Sequence, residues 1–149
     1  MERSIIEWEL FLKYFSIFLM SGFKFMVGVA MSIAMHLTFW EQFLITTLGG
    51  IAGVVFFTYL GDRLRQWIAR RRQRPSSNAP SPKWVYLWQK YGLWGIAFLT
   101  PPLLSPPIGT AIALVFGTPR RVVVQRFALA MIVWGIFFAG IWDWVRGWF

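Results

Sequence analysis

Cysteine is absent from all 149 residues, which excludes disulfides, thiolate metal sites and cysteine nucleophiles and leaves the compartment open. A single histidine, His36, excludes a multi-histidine metal site. Only six residues are acidic, and they form neither a paired-carboxylate constellation nor a Ser and His arrangement with an acid, so neither an enzymatic activity nor a cofactor is expected. Charged residues make up 14% of the chain against 57% hydrophobic, with ten Trp and fifteen Phe, an apolar content above that of a soluble domain of this length. The apolar residues fall in long blocks, which predicts an all-α integral membrane protein. The start, Met1 to Glu9, holds more acid than base and no small-residue cleavage site follows it, so the first block is read as retained.

Two apolar halves flank one polar bridge: a first membrane repeat over 1–69, a basic Pro/Ser-rich linker over 70–90 and a second membrane repeat over 91–149. From Asp62 to Lys90 the chain carries Arg63, Arg65, Arg70, Arg71, Arg72, Arg74, Lys83 and Lys90 against one acid, and this stretch supplies most of the net charge of +9. Pro75 to Pro82 reads as an extended linker. Basic residues beside apolar spans mark the cytoplasmic side, and Arg70, Arg71, Arg72 and Arg74, with Arg120 and Arg121, suit anionic lipid headgroups. A basic cluster also suits nucleic acid, but beside spans the lipid reading takes precedence and no nucleic-acid partner is expected.

The halves are related. Shifting the chain by 81 positions lays Gly28, Ala30, Leu48, Ile51, Phe56, Phe57, Asp62, Arg65 and Trp67 on identical residues from Gly109 to Trp148. Many transporters are built from such repeats. Each half holds one continuous apolar stretch, 43–60 and 127–142, close to a bilayer core in length. Each also holds an interrupted stretch. The first, 10–35, breaks at Ser21-Gly22-Phe23-Lys24, and the second, 91–116, breaks at Pro101, Pro102, Pro106 and Pro107, which cannot continue a helix.

Two arrangements are open. In one, the broken stretches are re-entrant helical hairpins, each half crosses once, the repeats are inverted, and Arg120 and Arg121 join the basic bridge on one side. In the other, the broken stretches span as kinked helices in a four-span bundle, and the loop at Thr118 lies opposite the bridge. The charge rule favours the first. It predicts unpaired backbone groups at membrane depth, which survive only where protein or a cavity satisfies them. Half-helices starting at the breaks would aim positive dipole ends into a central polar site suited to an anionic group.

Lys24 is the basic side chain expected deep in the bilayer, with Ser105 at the equivalent position, and an intramembrane ionisable residue is a functional hypothesis by default. Gly28, Gly109 and Thr110 complete the expected substrate-binding set with Lys24 and Ser105, the glycines through hairpin geometry and Thr110 through hydrogen bonding, although it can also return a bond to its own helix; Gly22 belongs to the first hairpin break. Asp62 and Asp143 each precede an Arg by three residues, the spacing of an ion pair along a helix. Gly49 and Gly53 form a close-packing face.

The run Lys90 to Pro101, followed by Leu104-Ser105-Pro106-Pro107-Ile108-Gly109-Thr110 and the basic turn Thr118-Pro119-Arg120-Arg121, resembles the second-half signature of the bacterial small multidrug export protein family; Leu48-Gly49-Gly50 with Gly53 resembles its first half. That family is similar in plan to the DedA and VTT membrane proteins, which implies facing re-entrant hairpins and the movement of phosphate-bearing lipids. Unlike DedA proteins, the chain carries no acid in either break, so proton coupling is not part of the expectation. The reading is a multi-pass protein of the bacterial inner membrane acting as a transporter or lipid translocase, with a non-transporting scaffold or subunit as the alternative. Two crossings enclose little volume, which leaves room for a homo-oligomer.

Overall fold

The structure, a computed structural model, describes residues 2–71, 90 and 92–148, without the side chains of residues 2, 64, 65, 68, 69 and 71. Six α-helices and no strand occur among the described residues: α1 Glu2–Phe23, α2 Phe25–Ala34, α3 Phe39–Arg71, α4 Leu93–Leu99, α5 Pro106–Val115 and α6 Arg120–Arg146. Two segments, Phe39–Arg63 of α3 and all of α6, are long and apolar enough to cross a bilayer.

These two form the frame and run antiparallel. At one end Arg120 Nε lies 3.1 Å from Asp62 Oδ2; at the other, Arg146 Nη1 donates to the Leu37 carbonyl just before α3, at 3.5 Å. Between them a Cβ on Gly135 would collide with Thr47 Oγ1, and one on Gly50 would stand 2.9 Å from Met131 Sδ. Phe25, Val54, Phe127 and Met131, all fully buried, form the centre of the core.

Each interrupted stretch is a helical hairpin. A single extended residue, Lys24 (φ −144°, ψ 101°), separates α1 from α2. Its N–H completes α1 by bonding Met20 O at 2.7 Å, while its carbonyl accepts the N–H groups of Val27 and Gly28 and so starts α2. The chain then returns along α1: Lys13 Nζ donates to Met35 O at 3.1 Å, and Gly28 lies directly on Ser21. Gly22 is not the break expected of it. It lies inside α1, buried against Gly49 and Gly53 of α3, because a glycine weakens a helix by only about 1 kcal/mol and a close backbone crossing offsets that.

In the second half α4 ends at Thr100–Leu104, where the N–H groups of Leu103 and Leu104 both bond Leu99 O. The prolines divide the work. Pro101 and Pro102 occupy the turn, while Pro106 and Pro107 are the first two residues of α5, where a helix needs no N–H donor. Gly109 then packs on Thr100.

The offset of 81 recurs in the backbone. Phe25–Ala34 and Pro106–Val115 both have 10 residues and are 81 apart, as are the helix starts Phe39 and Arg120. Both short helices end in a Schellman motif. Leu37 N–H bonds Ser32 O at 3.1 Å in the first, and Thr118 N–H bonds Ala113 O at 3.2 Å in the second. The left-handed residue of that motif is Gly117 (φ 77°) in one half and His36 (φ 53°) in the other. A side chain there is strained by roughly 1 kcal/mol, so His36→Gly is expected to raise the unfolding midpoint in detergent by a few degrees. An unchanged or lower midpoint would contradict that geometry.

Candidate functional site between the two hairpins

Contacts with the frame set the direction of each hairpin. In the first, Tyr14 OH donates to Glu41 Oε1 at 2.9 Å near the start of α3, while Phe23 meets Phe57 edge-on at 5.8 Å further along it. The mouth is therefore at the Glu41 end and the turn points toward Asp62. In the second, Arg126 lies over the Trp94 ring at 5.2 Å near the start of α6, and Trp134 Nε1 donates to Phe98 O at 2.8 Å further on. Its mouth is at the Arg120 end. The Glu41 and Arg120 ends, where these contacts begin, lie at opposite ends of the antiparallel pair α3 and α6.

Lys24 is exposed at the first turn, outside the linings of both grooves described below. Phe23 sits beside Phe57, and from there Asp62 is about 7 Å further along α3 at ~1.5 Å per residue, within reach of a lysine stem that keeps its ammonium in a polar surface layer. The first hairpin thus traverses most of the frame, which explains why its tip is not central. Ser105 is the N-cap of α5, half-buried, and its hydroxyl caps nothing. Thr110 is buried and returns its proton to its own helix, to Pro106 O at 2.7 Å and Pro107 O at 3.1 Å. Gly28 and Gly109 close their hairpins through contacts with Ser21 and Thr100 respectively.

The buried polar groups are mostly spent on backbone. Ser32, Thr46 and Thr100 bond carbonyls of their own helices, and Ser21 Oγ reaches across from α1 to Thr46 O at 2.7 Å. Gln42 differs: it is 1% exposed, and neither its Nε2 nor its Oε1 has a partner. Sequence reading missed it, because Gln42 stands one residue before the apolar run that begins at Phe43. A polar amide in the first turn of a spanning helix is the signal that was available. Thr47, Thr58 and Thr118 also hold unpartnered hydroxyls.

A groove of about 420 Å³ lies between α1 and α3, with Phe18, Phe23, Phe56 and Phe57 around the crossing of Gly22 with Gly49 and Gly53. Its lining side chains are apolar, so it is not the polar central site anticipated from the two breaks. A smaller groove of about 230 Å³, between α3 and α6 toward the Asp62 end, combines Val55, Tyr59, Arg120, Arg121, Val124 and Gln125. There Arg120 pairs with Asp62 and lies over the Tyr59 ring at 5.6 Å, while Arg121 is exposed. Arg70 is exposed in the last turns of α3; the Arg71 side chain, Arg72, Arg74 and the linker up to Gln89 lie outside the described residues. Asp143 pairs with Arg146 at 3.4 Å as its spacing suggests. Asp62 instead takes its charge partner from α6; the Arg65 side chain lies outside the described residues.

Among the described residues no group of three His, Cys, Asp or Glu is placed to hold a metal. No family model matches the chain, and neither a curated protein nor a solved structure is similar to it.

Proposed function

We propose that this chain is a small transporter or lipid translocase of the bacterial inner membrane, moving an anionic or amphipathic substrate along the seam between two re-entrant hairpins. The observation that carries the reading is the pair of hairpins turning back from opposite ends of one antiparallel helix pair. Gly50 and Met131 are equivalent under the offset of 81, and they meet at the centre of the frame. Equivalent residues in contact on antiparallel helices are what a two-fold axis in the membrane plane produces, the plan of inverted-repeat transporters. The Asp62–Arg120 ion pair supports the same plan, since it brings the start of the basic bridge and the turn at Thr118 to one end, which the positive-inside rule assigns to the cytoplasm. The likeness to the small multidrug export and DedA proteins belongs to this proposal.

Arg121 and Lys24, both exposed toward that end, supply the attraction for a phosphate or carboxylate, and the apolar groove along α1 and α3 supplies a path for a hydrocarbon tail. In proteoliposomes, the purified protein is expected to move a headgroup-labelled anionic phospholipid or an amphipathic dye between leaflets. Lys24→Ala is expected to slow that movement about tenfold, the equivalent of one lost charge-assisted contact. Protein that folds, reconstitutes and moves neither probe would exclude translocation.

One observation favours the alternative of a non-transporting scaffold. Ile5, Ile6, Trp8, Leu10, Phe11 and Leu12, in the first turns of α1, are all exposed, an apolar surface open to a partner, to further copies or to lipid.

A further inference from the structure

We infer that Gln42 marks a hydrated site where the start of α3 packs on the first hairpin, supplied with water from the Glu41 end of the molecule. Four buried polar residues surround the early part of α3 and the hairpin against it: Ser21, Ser32, Thr46 and Thr47, each at most 5% exposed. Three of these hydroxyl protons are engaged elsewhere, and Thr47 Oγ1, like the Gln42 amide, has no partner. Ser21 Oγ is engaged with Thr46 O, Ser32 Oγ with Val29 O, and Thr46 Oγ1 with the backbone carbonyl of Gln42 itself. The Gln42 side chain still needs a donor for Oε1 and an acceptor for Nε2, and water is the smallest molecule that supplies both.

The second half indicates that this polarity is not imposed by the fold. At the positions 81 residues on, the matching helices α5 and α6 carry Ala113, Val123, Phe127 and Ala128 in place of Ser32, Gln42, Thr46 and Thr47. Val123 occupies the same place in the first turns of α6 that Gln42 has in α3, and is fully buried. A buried amide without partners is costly, most of all in a membrane protein, so its presence where valine serves the other half calls for an occupant.

The entrance is polar as well. Glu41, adjacent in the chain, caps α3 by accepting from the N–H and Oγ1 of Thr38 at 3.0 and 2.9 Å, and it also accepts from Tyr14 OH. Lys13 reaches Met35 O at the same mouth. The equivalents of Thr38 and Glu41 are Pro119 and Val122, so this capping arrangement does not recur at the start of α6. The proposed site is thus reached from the Glu41 end.

The natural absence of cysteine makes the test direct. Gln42→Cys and Val123→Cys, each the sole thiol in the full chain, are treated in membranes open on both sides with a small water-soluble methanethiosulfonate. Gln42→Cys is expected to react at least about tenfold faster, since only a hydrated thiol ionises to the reactive thiolate. Equal, slow rates would overturn the proposal. Gln42→Leu gives a second reading: a hydrated amide predicts an unchanged or lowered unfolding midpoint, whereas a raised midpoint would mean the amide was simply unsatisfied. Neither measurement needs a transported substrate, so failure here leaves the translocation proposal standing, and failure of translocation leaves this site standing.

Discussion

Gly53→Val is expected to destabilise the protein by more than about 3 kcal/mol, the upper range for forcing extra atoms into a packed site. The reason is that the clash is with backbone. A Cβ at Gly53 would collide with the carbonyl oxygen of Gly22 and stand 2.6 Å from both its carbonyl carbon and its Cα, none of which can move without moving α1. Gly22 faces the same crossing from the other side, its own Cβ position 2.9 Å from Gly49 O. Three glycines therefore let two helix backbones touch, the packing that membrane helices use where the surrounding solvent supplies no hydrophobic drive. Gly95 and Gly140 are the controls, because a Cβ at either meets nothing within 4 Å. Alanine at these helical positions is expected to be neutral or to stabilise by up to about 1 kcal/mol. Unfolding midpoints in mixed micelles compare the three variants, and a Gly53→Val protein as stable as Gly140→Ala would mean that α1 and α3 do not cross here.

The second large effect separates two glycines that the repeat makes equivalent. Gly109→Ala is expected to cost about 2 kcal/mol, and Thr100→Ala in the same chain is expected to restore most of it. A Cβ at Gly109 meets the Thr100 Oγ1 and Cγ2 atoms, which alanine at position 100 removes, and Cε1 of Phe127 at 2.9 Å, a ring edge that can yield. Gly28→Ala should be at least as damaging and should not be rescued by Ser21→Ala. Its Cβ would lie 2.6, 2.7 and 2.9 Å from the Ser21 Cβ, Cα and N, which alanine at position 21 retains. A double-mutant cycle on each pair measures the difference. Equal rescue in both hairpins would refute the backbone contact in the first.

The difference has a source in the chain. The first hairpin has no proline, so it turns on one extended residue, Lys24, and its two arms remain in close backbone contact. The second spends Thr100–Leu104 on its turn, and the Thr100 side chain lies between its arms at Gly109. Both breaks were legible because Pro101, Pro102, Pro106 and Pro107 act locally and because Lys24 lies in a run that interrupts apolar periodicity. The position of the first break within that run was not legible. Gly22 has the residue type of a break, yet Gly49 and Gly53, which hold it in a helix, lie more than twenty residues away.

Candidate residues divide on the same line. Thr110 bonds within its own helix, a contact four residues back that spacing alone suggests. The partner of Asp62 did not follow from spacing: Arg120 meets it only because two long helices run antiparallel. Gln42 escaped attention because burial, and not residue type, makes an amide costly, and burial is a property of the assembled helices.

By itself the sequence determined the all-helical class, the two apolar halves, the broken and unbroken stretches, and the offset of 81 that the helix bounds reproduce. These follow from composition and from interactions within a turn or two of chain, where proline chemistry and helical period act. Only the tertiary structure decided the direction in which each hairpin returns, which glycines bear the crossings, that Lys24 ends up exposed, and that Gln42 is enclosed without a partner. Those depend on contacts between segments far apart in the chain, where the fit of one surface against another, and not local preference, sets the energy.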